Sequence, residues 1–198
     1  MQHVWGLLSN PVGEWKVIRK EGCPIGRCYV FHIMLLAAIA PVCGYFGTTR
    51  VGWQIGAREA IKLTANSAWT IAVLYYLVML VGVFTLGALI HWMRQTYGAK
   101  QPIEHSMALA GYSATPLFLV GVMQLYPALW LNLIIGLPAL AYTVFLLFTG
   151  VPIMMGISKE RGFLFSSAVL AVGLVMLVGL LAASVILWSL GAGPAFTA

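Results

Sequence analysis

Long apolar runs separated by short polar interruptions set the pattern of this chain. About 20 apolar residues, each rising 1.5 Å, cross roughly 30 Å of hydrocarbon. Five segments meet that length: residues 29–47, 68–92, 106–125, 128–149 and 163–190. None contains a Lys, Arg, Asp or Glu, so all eleven basic and five acidic residues fall at ends and in loops. The pattern predicts an all-α integral membrane protein, a bundle of five transmembrane helices. Residues 1–28 then form an N-terminal segment, 29–190 the membrane domain and 191–198 a short tail.

Polar spacing adds two shorter elements. In residues 9–22, Asn10 is a helix cap and Pro11 suits the first helical position, where a missing N–H costs nothing. Val12, Trp15 and Ile18 recur on one side, with Lys16, Arg19 and Lys20 free to face water and anionic headgroups. The helix either lies on the membrane as an interfacial anchor or packs under the bundle as a lid. Between the first two spans, Trp53, Ala57, Ile61 and Ala65 repeat at four-residue steps and predict a second amphipathic helix within residues 51–67.

Composition agrees with the pattern. With 61% hydrophobic and 8% charged residues and a mean hydropathy of +0.94, a chain of 198 residues cannot bury its apolar surface in one water-facing core. Charge sets the orientation, since cytoplasmic loops carry the Lys/Arg excess. Eight basic residues (Lys16, Arg19, Lys20, Arg27, Arg94, Lys100, Lys159, Arg161) face three (Arg50, Arg58, Lys62). The N-terminus is therefore expected in the cytoplasm and the C-terminus in the periplasm. Trp69 and Trp92 bracket the second run, and Trp130 and Trp188 mark the outer ends of the fourth and fifth, as membrane-border indoles do. The first 28 residues hold no apolar core of the kind a cleavable signal peptide needs, so the first membrane helix is expected to direct insertion itself.

The third run carries the most unusual polar group, GYSATP at residues 111–116. Pro116 has no N–H and its ring crowds the carbonyl of Tyr112, which must find another donor in hydrocarbon. Tyr112, Ser113 and Thr115 bring hydroxyls to that turn. Gly111, Tyr112, Ser113, Thr115 and Pro116 are thus the candidate binding or hinge residues. The kink is either a packing joint or part of a polar pocket in a small-solute transporter or channel. Pro41 and Pro138 mark further candidate bends.

Catalytic chemistry finds little footing. There is no Asp, no G-x-S-x-G turn and no glycine-rich phosphate loop, so no enzyme activity and no cofactor are expected. His91, Glu104 and His105 are the weak candidate for a two-His, one-carboxylate metal site. Cys23 and Cys28 have a C-x4-C spacing unlike a zinc knuckle or redox pair, and Cys43 lies within the first run. The net charge of +6 is divided among loops on both sides, which argues against nucleic acid as a partner. Membrane lipids and membrane or cytoplasmic proteins remain as partners, and a homo-oligomer stays open.

The chain resembles the Yip family, named for interaction with Ypt/Rab GTPases, in its bacterial YohC-like inner-membrane branch. The resemblance rests on NPVGEW (10–15), HWMRQTYGA (91–99), GYSATP (111–116), LYPALW (125–130) and KERGFLFSS (159–167). It covers nearly the whole chain and implies a five-helix domain with a cytoplasmic N-terminus in the bacterial inner membrane. In eukaryotic members it also implies binding of prenylated small GTPases. The acidic Asp-Leu-Tyr-Gly-Pro element expected there reads Ser-Asn-Pro-Val-Gly here, at residues 9–13. The function expected is that of a non-enzymatic membrane scaffold or adaptor.

Overall fold

A computed structural model describes residues 2–22, 24, 26, 29–53, 60–189 and 193–197. Cys23, Cys28, Ala57 and Arg58 lie outside them. Five helical spans are long and apolar enough to cross a bilayer: Tyr29–Val51, Ala65–Met93, Ile103–Leu125, Leu129–Met155 and Lys159–Ile186. They are called the first to fifth spans. Five crossings put the loops 94–102 and 156–158 at the end that carries the N-terminal residues, and the loops 52–64 and 126–128 at the other.

Two short helices precede the spans, α1 (Gln2–Ser9) and α2 (Pro11–Glu21). Asn10 separates them, its side chain accepting the Gly13 N–H at 3.1 Å while Pro11 opens α2. The pair forms a hairpin that docks into the bundle. Leu7, Trp15 and Ile18 are buried in one cluster with Leu109, Leu146, Val151 and Met154. The Trp15 ring, fully buried, sits so close to Gly150 that an added Cβ there would lie 2.7 Å from its Cε2. The Tyr142 hydroxyl donates to the Leu7 carbonyl at 2.8 Å, and Arg19 Nη1 donates to the carbonyl of Ile153 at 2.9 Å. These contacts pack α2 against the bundle, as the lid arrangement requires. Val12 is exposed although it shares a stripe with Trp15 and Ile18, because the groove between the third and fourth spans takes only the latter two.

The amphipathic helix expected within residues 51–67 is not what the described residues form. Gly52 turns the chain at φ +92°, a value open to glycine and strained for other residues. Trp53 and Ile61 then exchange both backbone hydrogen bonds, at 2.7 and 3.0 Å, as an isolated antiparallel pair. A continuous helix cannot bring positions eight apart face to face in this way. The C-terminal residues join this layer: the Thr64 N–H donates to Ala195 O at 3.0 Å and the Thr197 N–H to Lys62 O at 2.9 Å. The second span begins immediately afterwards, capped by Thr64.

The prolines act unequally. The fourth span runs as one helix through Pro138 and Pro152. The first span is broken into Tyr29–Met34, Leu35–Ala37, Ile39–Phe46 and Gly47–Val51, the outer pieces π-helical. Its break at Ala38 adjoins Ala37, whose carbonyl lies four residues before Pro41 and so has no N–H to accept. The third span divides at Ala114 into Ile103–Ser113 and Thr115–Val120, and finishes as a 3₁₀ turn, Gly121–Leu125.

Candidate functional site: a buried polar seam under the N-terminal hairpin

The third span is the bundle's axis, with 67% of its apolar window buried against 6% for the fifth. Every residue from Ser106 to Ser113 is buried, so its polar groups face protein rather than lipid. Tyr112, 5% exposed, is the hub. Its ring meets His3 of α1 and Trp15 of α2 edge-on, with centroids 5.6 and 6.5 Å apart. On another side the His32 ring of the first span lies 4.3 Å away, tilted by 47°. One side chain thus joins the hairpin, the first span and the third.

Beyond Tyr112 the seam runs deeper. His32 Nε2 and Thr115 Oγ1 are 3.0 Å apart, both side chains buried. The Thr115 hydroxyl, which the sequence offered to the carbonyl freed by Pro116, goes to His32 instead. The Ala114 N–H donates to the Ala110 carbonyl at 3.3 Å, closing the last turn of the first helical piece. Ser113 Oγ and His32 Nδ1 are buried without a hydrogen-bond partner among the described residues. Gly111 has another role: a Cβ there would lie 2.7 Å from Ile33 Cγ1, so its lack of a side chain lets the first span close on the third.

At the hairpin end the seam meets two carboxylates. His3 Nδ1 lies 2.5 Å from Glu14 Oε1 and His3 Nε2 lies 3.2 Å from Glu21 Oε2. Through these two contacts a single imidazole clamps α1 to both ends of α2. Sequence reasoning missed His3, whose partners lie 11 and 18 residues away, a separation that no local helical spacing reveals. The pairing of His32 is hidden in the same way, since Thr115 lies 83 positions further on.

The structure brings Tyr112 and Thr115 into one seam, with Gly111 and Pro116 shaping its backbone. Two recesses among the described residues are lined by other side chains. An apolar one of about 450 Å³ lies between the first and second spans, lined in part by Pro41, Tyr45, Trp69 and Tyr76. Another of about 390 Å³ separates the second and fifth spans at Gly82 and Gly179. His91 ends the second span while Glu104 and His105 begin the third. No group of three His, Cys, Asp or Glu side chains among the described residues is arranged to hold a metal. Cys43 is a free thiol.

A helical bundle with a docked N-terminal hairpin and five spans defines a multi-pass membrane protein. The Yip1 domain model matches residues 5–191, and the chain belongs to that family. It is 46% identical over 191 residues to the inner membrane protein YohC of Escherichia coli strain K12, covering 96% of this chain and 98% of that protein. The YohC protein of an O6:H1 strain of Escherichia coli matches to the same extent. With these relatives the chain is an inner-membrane protein. No solved structure matches it.

Proposed function

We propose that the protein is a non-enzymatic scaffold or adaptor of the inner membrane, organising lipids or partner proteins through its bundle surface and its N-terminal hairpin, with that hairpin on the cytoplasmic side. The observation that carries the proposal is the hairpin's anchorage: Trp15 is wholly buried in the bundle and His3 clamps both helices. A segment held this firmly presents a fixed charged face, and fixing a binding face in advance lowers the ordering cost of association. The excess of Lys and Arg at that end supports the orientation. The competing idea, a transporter or channel with a pocket around Tyr112, asks for a hydrated cavity there. Tyr112, Ser113 and Thr115 are instead at most 5% exposed.

The experiment is photocrosslinking in native membranes. A photoreactive phenylalanine derivative is placed at Val17, exposed on α2, and at Val175, exposed on the fifth span. The proposal expects a discrete protein adduct or a selected lipid class at position 17, and bulk lipid at position 175. Bulk lipid at both, with solute uptake by reconstituted vesicles, would replace the scaffold with the transporter.

A further inference from the structure

We infer that the hairpin carries a binding site for the phosphate of an anionic membrane lipid, in the recess between α2 and the end of the fourth span. The recess has a volume of about 470 Å³ and is lined by Lys16, Arg19, Lys20 and Ile153. The three cations stand at i, i+3 and i+4 of α2 and therefore share one face of the helix.

Their charges are not neutralised within the protein. The two acids of α2, Glu14 and Glu21, are both held by His3. Lys16 and Lys20 are exposed and enter no ion pair or hydrogen bond among the described residues. Arg19 is fixed in place: one nitrogen donates to the Ile153 carbonyl at 2.9 Å. Another lies against Gly156, where an added Cβ would come within 2.7 Å. Gly156 is itself required by its φ of +65°, so the turn closing the fourth span is shaped to admit the guanidinium. A planar guanidinium held on one edge keeps its other N–H groups for a phosphate, and two flexible ammonium groups complete the cradle.

Location selects the lipid over a free anion. Ile153 lies two residues before the end of the fourth span at Met155, so the recess opens at the border between hydrocarbon and water. Val12, exposed on the same face of α2 as Lys16 and Arg19, would face acyl chains. A phospholipid can satisfy both surfaces; inorganic phosphate can satisfy only one. The inference deepens the scaffold proposal by naming the lipid class for one face, and it rests on that proposal's placement of the hairpin on the cytoplasmic side. The lipid readout below is separate from partner capture, so either can fail alone.

The test uses the full chain reconstituted in phosphatidylcholine discs with a minor fraction of phosphatidylglycerol, counting retained lipids by native mass spectrometry. Wild type is expected to retain phosphatidylglycerol preferentially. The K16Q/K20Q variant changes only exposed side chains and should keep its helicity and melting temperature. Each lost cation should weaken retention by about fivefold, so the pair should lose more than tenfold. K62Q, at the opposite end, should be unchanged. R19K keeps the charge but not the fork and should lose part of the preference. Equal retention by wild type and K16Q/K20Q would overturn the inference, as would displacement of the lipid by millimolar inorganic phosphate.

Discussion

The third and fifth spans are both apolar helices of membrane length, yet they do opposite jobs. The third is surrounded by protein and carries Ser106, Tyr112, Ser113 and Thr115 in its buried stretch. The fifth is bare over most of its length, exposing Leu174, Val175, Val178, Leu181 and Val185, and packs mainly where Phe165 and Val169 join the core. Its mean hydropathy is twice that of the third, 2.8 against 1.4. The more apolar helix is therefore the more exposed one, the reverse of a water-soluble protein. Lipid already solvates Leu as well as another Leu would, so helix association in a bilayer is driven by close packing and polar pairing rather than by apolar character.

That contrast can be broken most sharply at Trp15. Trp15→Ala removes the indole that packs against Gly150 beside Leu109 and should cost about 3–5 kcal/mol of stability, read from denaturant unfolding in mild micelles. If Trp15→Ala proves neutral, the hairpin is not part of the third span's core. Thr115→Val leaves His32 Nε2 buried and bare, for an expected loss of about 1–3 kcal/mol. Combining it with His32→Leu should cost less than the two single changes summed, since both groups of one buried pair are then gone. Strict additivity would remove that hydrogen bond from the account. Tyr142→Phe frees the Leu7 carbonyl and should cost about 1 kcal/mol. Val175→Ala on the fifth span should stay within about 0.5 kcal/mol. A larger penalty there would mean that protein, not lipid, covers that face.

How much of this could be read from the chain depends on how local each signal is. The five spans were legible because hydrocarbon thickness sets their length and charges are excluded from it. The Asn10–Pro11 start of α2 was legible for the same local reason. The first helix, α1, was not, because QHVWGLLS is too short for a periodic pattern. The Trp53–Ile61 pair was misread as a helix since four-residue apolar steps also arise by chance in a short loop. The seam was half visible: GYSATP announced a polar break, but His3 and His32 meet it only through folding. Which of Val12, Trp15 and Ile18 enters the bundle depends on the small surface at Gly150, which lies 135 positions from Trp15.

The central claim is that the N-terminal hairpin belongs to the core of the third span rather than resting on the membrane. Hydrogen exchange of the protein in lipid discs tests it most directly, comparing amides of residues 12–18 with those of residues 106–113. Protection of the same order in both, lost from residues 12–18 in Trp15→Ala while the fifth span stays protected, is the expected result. Rapid exchange of residues 12–18 in the wild type beside a fully protected third span would contradict it.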